Sequence, residues 1–519
     1  AQKSAHTVKK NKGENNKMAF TVATFIAFTV LVAVLSWWKT RDDDLSTKEG
    51  YFLAGRGLPG IVIAGSLMMT NLSAEQLVGT NGQAFAGNMS TMAWEATSAF
   101  ALIVLAFVFL PKLLRGGIAT IPEFFEMRYD TFTMRLFSLL FLIAYVVTML
   151  PTILYSGAVA LVKIFDLESM FGISYFSAII CIGTGIIGMC YAVFGGLKAV
   201  AYSDTINGVG LIIGGFAIPI LGILALGKLD GGGFMAGLDH LISATPEKMN
   251  AWSAPNALPP EVPWPLLLTG MFVNNLFYWA TNQSIIQRSL GGKNLAESQK
   301  GAIWAGFFKC LDVFVIVLPG IIAFQLLAAN GQMDTSVGMA ADQAYPLLVM
   351  KVLPKPLMGF FAAVMFGAIL SSFNSVLNSA STIFTLNVWQ PIWGKQASNN
   401  KVVKVGQIFG TVVGVVSIAI APFVMFFGTG IMNFINECWG FFSMPLLTAV
   451  LFGLLSKKAP AIAPKIVIPV HIVLYGLTKV IPFFSRFHYL YGISGTECTG
   501  ECSTSFLLRY CTASSLPPW

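Results

Sequence analysis

The 519-residue chain is 55% apolar and only 11% charged, with a mean hydropathy of +0.72 and a formal net charge of +8. Soluble globular chains carry roughly 25% charged residues, so this composition excludes a soluble enzyme and points to a membrane protein. No Gly-x4-Gly-Lys-Ser/Thr phosphate loop occurs, so ATP is not a direct energy source, and the four histidines show no zinc-ligand spacing.

Residues 1–17 (A-Q-K-S-A-H-T-V-K-K-N-K-G-E-N-N-K) form a polar, basic tail ahead of Met18. It is expected to be disordered, or sequence lying upstream of a natural start at Met18. Apolar segments long enough to cross a bilayer, about 20 residues each, then recur at 19–38, 59–85, 92–111, 136–162, 174–196 and 203–227. They continue at 264–286, 302–328, 357–388, 402–424, 429–455 and 464–484. The pattern predicts an all-α polytopic bundle of about twelve transmembrane spans, surrounded by lipid in the cell's plasma (inner) membrane.

The segment 59–85 is the most informative, because it turns polar in its middle at Thr70-Asn71-Leu72-Ser73-Ala74-Glu75-Gln76. A helix at membrane depth is interrupted only where it is buried or lines a cavity. The carbonyls freed there can hold a cation, and the neighbouring amides and carboxylates a polar solute. Two short interfacial helices joined by a surface loop are the alternative. The next span carries Glu95 with Ser98 one turn on.

In 264–286, Asn275, Tyr278, Trp279 and Asn282 fall at i, i+3, i+4 and i+7 on one helix face, with Asn274 and Gln283 beside them. Amides beside aromatic rings suit a sugar, whose hydroxyls surround an apolar ring face. Polar helix–helix glue is the competing reading. Lys309 and Asp312 stand three residues apart within 302–328, either as an intrahelical ion pair or as donors to solute hydroxyls. Ser371 and Ser372 in 357–388 offer two hydroxyl oxygens to a hard cation such as sodium. Cys181, Cys190, Cys310 and Cys438 lie in apolar spans as packing residues. The other three of the seven cysteines, Cys498, Cys502 and Cys511, fall in the atypical stretch 491–519.

Taken alternately, the connections from 39–58 onward hold eighteen Lys and Arg, including Lys39, Arg56, Lys112, Arg115, Arg288 and Lys293. The opposite connections hold far fewer, Lys228, Lys248, Lys351 and Lys355 among them. The first set is therefore cytoplasmic, and the basic balance reflects topology, not a nucleic-acid patch.

Several stretches resemble the sodium/solute symporter family: Tyr51-Phe52-Leu53-Ala54-Gly55-Arg56, Asn71-Leu72-Ser73-Ala74-Glu75-Gln76, Thr120-Ile121-Pro122-Glu123-Phe124 and Tyr191-Ala192-Val193-Phe194-Gly195-Gly196-Leu197. Asn282-Gln283-x-Ile285-Ile286-Gln287-Arg288 and Leu377-Asn378-Ser379-Ala380-Ser381-Thr382-Ile383-Phe384-Thr385 do so too. The resemblance is to the bacterial sodium/galactose and sodium/glucose branch. It implies a leucine-transporter-type fold of two inverted five-helix repeats, 59–227 and 264–455. Residues 18–58 and 456–490 would flank them, 228–263 would be an extracellular loop, and 491–519 a tail.

The resemblance further implies a sodium site made by the carbonyls of Met69, Leu72 and Ala368 and the hydroxyls of Ser371 and Ser372. It places Gln76, Glu95, Ser98, Asn275 and Lys309 on the sugar. Tyr278, held by Asn71, becomes an inner gate, with Trp279 following it and Tyr145 near the outer closure. A glutamine of the family is replaced here by Asn433 or Asn436. The expected activity is sodium-coupled sugar import by alternating access; a cyclitol, organic acid or amino acid on the same fold is the alternative.

Overall fold

The computed structural model describes residues 2–165, 176–255, 257, 261–328, 341–426, 431–456 and 458–480. The expectations for 491–519 fall outside these residues. Among the described residues, seven helices are long and apolar enough to cross a membrane. They are Phe20–Thr40, Met89–Arg115, Thr131–Ile164, Gly195–Leu229, Leu295–Ala328, Leu357–Trp393 and Asn399–Val424. An eighth crossing is the bent pair Gly60–Asn71 and Gln76–Ala86, whose axes differ by 58°. Three more expected spans are shorter apolar helices, Ile179–Val193, Ser443–Leu455 and Ile462–Thr478, so length and hydropathy alone do not reach a count of twelve. The first helix runs Gln2–Thr40, so residues 2–17, expected to be disordered, are helical backbone continuous with the first span; no proline stops it.

The last expected span, 264–286, is a second broken helix. Phe272–Thr281 stops at Asn282, whose φ −71° and ψ 120° are extended, and a new helix runs Gln283–Leu290. The Asn282 side chain caps the new helix by accepting from the Ser284 N–H at 3.2 Å and its hydroxyl at 3.0 Å. Tyr145 completes the junction from a third span: its hydroxyl donates to Asn282 Oδ1 and accepts from the Ser284 N–H.

Proline sets the other bends. A proline offers no N–H to the carbonyl four residues back, and looser π-helical turns precede Pro111, Pro151 and Pro391, over Leu105–Phe109, Ala144–Met149 and Phe384–Trp389. At Pro319 the helix Leu295–Ile316 gives way to Leu318–Ala323 across Val317, at φ −121° and ψ −54°. The orphaned carbonyl is that of Val315. Asn81, on the outer half of the first broken helix, donates to it at 3.4 Å and accepts the Gly320 N–H at 2.8 Å. Gly320 is required here, since a Cβ would lie 2.2 Å from the Asn81 carbonyl oxygen.

Each half of the first broken helix thus has its own partner: Gly60–Asn71 packs on Leu295–Ile316, and Asn81–Ala86 on Leu318–Ala323. Asn81→Leu strands the Val315 carbonyl and leaves the Gly320 N–H only its bond to the Val317 carbonyl at 3.0 Å; it should cost about 1–2 kcal/mol, read as a lower thermal midpoint in detergent. Asn81→Asp keeps the acceptor for Gly320 and should lose less.

Candidate functional site

The first broken helix ends where Leu72 leaves helical geometry (φ −74°, ψ 62°). The Ser73 N–H, which would continue the helix onto the Met69 carbonyl, bonds the Asn71 carbonyl at 2.8 Å instead. Ser372, from the buried helix Lys355–Ile383, takes up the released oxygens: its hydroxyl lies 3.1 Å from the Thr70 carbonyl and 3.4 Å from that of Met69. The neighbouring Ser371 hydroxyl is buried and makes no hydrogen bond among the described residues. The break therefore assembles backbone and hydroxyl oxygens, two of them from expected sodium ligands, with a spare oxygen at Ser371. This donor set fits a hard monovalent cation, and Ala368 lies one turn earlier on the same helix, fully buried.

Just above, a cavity of about 60 Å³ is lined by Asn71, Glu75 and Gln76 of the break and by Trp94, Glu95 and Ser98 of the next span. Asn274, Asn275, Phe277 and Tyr278 line it from the second broken helix; Met149, Ile435, Asn436 and Trp439 complete it. Ligand pockets usually measure about 300–1,000 Å³, so this one is closed down and must open to admit a hexose. Seven of the ten expected solute residues meet here: Asn71, Gln76, Glu95, Ser98, Asn275, Tyr278 and Asn436. The Asn433 side chain lies outside the described residues.

The amides are held in place. Asn275 donates to the Thr97 hydroxyl at 2.7 Å and the Trp94 carbonyl at 3.0 Å, and accepts from Ser98 at 2.8 Å. Gln76 accepts from Thr80 at 2.9 Å, which leaves its NH₂ group for the cavity.

Three expected residues are placed otherwise. Lys309 is fully buried and does not line the cavity; it pairs with Glu95 and, at 2.9 Å, with Asp312, because an ammonium at this depth needs compensating charge. Trp279 turns away from the cavity and lies 5.7 Å under that ammonium. Tyr145 serves the Asn282 junction. Sequence reasoning passed over Trp94, Trp439 and Glu75 as site residues; only Glu75, inside the polar break, carried a signal.

Arg288 is another correction. Counted above with the cytoplasmic loop charges, it is fully buried. It donates to Ser66 at 2.9 Å, to the Ser284 carbonyl and to Ser375, while Ser66 donates to Asp204 at 2.6 Å. None of these residues lines the cavity, and the network gives Asp204 a structural setting.

On the other side, the loop between Leu229 and Trp264 covers the end of the outer half-helix. Lys248 donates to the last carbonyls of that half, Phe85 at 2.8 Å and Ala86 at 3.0 Å, and sits 4.1 Å over the Phe324 ring.

Two broken helices that meet at a polar cavity beside an oxygen cluster define a secondary transporter of the leucine-transporter type. A profile of the Sodium:solute symporter family matches residues 51–462, and the chain belongs to that family. It is 42% identical over 511 residues to an uncharacterized symporter, YidK, of Escherichia coli (strain K12), covering 96% of this chain and 87% of that one. To the sodium/glucose cotransporter of Vibrio parahaemolyticus it is 33% identical over 452 residues, 84% of this chain and 81% of that protein. Among solved structures, a substrate-bound, outward-open Na⁺-coupled sialic acid symporter superposes with a TM-score of 0.76 at 19% identity, covering 92% of this chain and 95% of that one. The chain is a multi-pass membrane transporter, not an enzyme.

Burial pushes the Lys248 ammonium down to about 8, whereas a released lysine holds its proton to about 10.4. Between those values the released state binds more protons, so rising pH favours the seated one. Hydrogen exchange over 244–255, corrected for intrinsic rates, should slow between pH 7.5 and 9.5, and Lys248→Met should remove that difference.

Proposed function

We propose that this chain imports a neutral polyhydroxylated solute, a hexose such as glucose or galactose, together with sodium across the bacterial inner membrane. The observation that carries this reading is the adjacency of two sites at one break. The Met69 and Thr70 carbonyls face the Ser372 hydroxyl, with Ser371 beside it, while Asn71, Glu75 and Gln76 of the same interruption line the cavity with Ser98, Asn275 and Asn436.

Sodium held between the Met69 and Leu72 carbonyls and the hydroxyls of Ser371 and Ser372 fastens the first half-helix to Lys355–Ile383. That fixes the geometry of the amides at the cavity. The solute then finds its hydroxyl partners in place, and each ligand raises the affinity for the other by the same factor. Tyr278 closes the cavity beside Asn71 and moves aside as the bundle turns inward.

Uptake of a labelled hexose and cyclitol panel into proteoliposomes, with and without a sodium gradient, tests the proposal; sodium-independent uptake, or none, overturns it. Ser372→Ala should raise the sodium concentration for half-maximal uptake while leaving membrane insertion intact. Gln76→Ala should reduce hexose transport at least tenfold, about 1.4 kcal/mol, because a hydroxyl partner is lost. Equal transport of every hexose by wild type and Gln76→Ala would remove sugar as the solute.

A further inference from the structure

Glu75 is a carboxylate with no counter-charge. It lines the cavity and is 6% exposed; its Oε2 is fully covered, has no hydrogen-bond partner and joins no ion pair among the described residues. Asn71, across the break at Leu72, also lines the cavity, and its Oδ1 is likewise buried without a hydrogen-bond partner among the described residues. A buried acceptor left unmet is costly, and an ionised one far more so.

The cations within reach are committed elsewhere. Lys309 is shared between Glu95 and Asp312, one ammonium against two carboxylates. Arg288 spends its donors on Ser66, Ser284 and Ser375. The Gln76 carbonyl and the Asn275 amide are also engaged. Among the described residues, this side of the cavity therefore presents carboxyl and amide acceptors and no free cation.

We propose that Glu75, with the Asn71 amide oxygen, forms a subsite for a positively charged donor on the solute: polyols bearing an amino group bind more tightly than their neutral parents, and sugar acids are excluded. The inference rests on the cavity being the solute site. An ammonium placed there answers both unmet acceptors at once and neutralises Glu75. A carboxylate placed there would meet Glu75 and Glu95 with no cation free to receive it.

The test is ligand binding to the purified full chain in nanodiscs with sodium, followed by the fluorescence of Trp94 and Trp439, at a pH where the amine is charged. Glucosamine, glucose and glucuronate are compared. Wild type should bind glucosamine at least tenfold more tightly than glucose and should not bind glucuronate. In Glu75→Gln the glucosamine-to-glucose ratio should fall to near one; Glu75→Asp should keep most of the preference. A wild type that binds glucosamine no better than glucose overturns the proposal without recourse to any variant, and so does a preference that survives in Glu75→Gln. If no sugar of any charge binds, the sugar reading fails. Ethanolamine against ethylene glycol then judges the subsite alone: amine binding that depends on Glu75 upholds it, and its absence overturns it.

Discussion

A peptide group at bilayer depth has no water to bond, so every interruption of a helix has to be closed by something the protein supplies. That constraint organises this molecule. The Val315 carbonyl orphaned by Pro319 is met by Asn81, the start of the helix at Gln283 by Asn282 and Tyr145, and the carbonyls of Met69 and Thr70 by Ser372. In each case at least one closing side chain stands far along the chain from the group it serves: Asn81 for Val315, Tyr145 for Ser284 and Ser372 for Met69 and Thr70. The repairs are therefore also the cross-links that set the spans relative to one another. The oxygens that a cation would take are loosely repaired: one hydroxyl at more than 3 Å shared by two carbonyls, beside a second hydroxyl with no hydrogen-bond partner among the described residues.

The buried charges obey the same logic with higher stakes. Breaking a buried pair leaves an uncompensated charge and costs more than the pair contributes, so each charge fixes its neighbours. Arg288 and Asp204 meet through Ser66 and clamp the first half-helix to two other helices. Lys309, Glu95 and Asp312 fix the span that carries Ser98 against the one that carries Pro319. Together they hold the wall around the cavity, whose amides would otherwise be free to turn.

The polar interruption at Thr70–Gln76 could be read from the sequence because seven consecutive residues change character there, and the amide stripe at Asn275, Tyr278 and Asn436 follows the helical period or the family's pattern. Other features lay outside the reach of pattern. The break at Asn282 is carried by one residue, and nothing local distinguishes it from a polar contact; Tyr145, 137 positions away in sequence, makes it stable. The resemblance assigned Lys309 to the solute and the helical period put Trp279 on the amide face, but neither fixes depth; the packing turns them to Glu95 and to each other, and the ion pair of Lys309 with Asp312, the other reading of that spacing, is present. Arg288 looks like a loop charge because its neighbours are polar, and its burial depends on serines from two distant helices. Trp94 and Trp439 line the cavity as single aromatic residues, which a sequence presents in the same way whether they pack or meet a solute.

The bend at residues 72–75 and the bend at Val317 occur in helices packed side by side, inner half on inner half and outer half on outer half. The two helices behave as a jointed pair of rods with a common elbow. Neither can flex alone, since Asn81 binds the outer segments to each other and Lys248 fastens their tip to the loop above. What swings is a flap made of both outer segments and the loop, and its axle runs beside the cavity and the oxygen cluster. A small displacement of the Glu75 or Ser372 side of the elbow is therefore magnified at the tip, as at the far end of any lever.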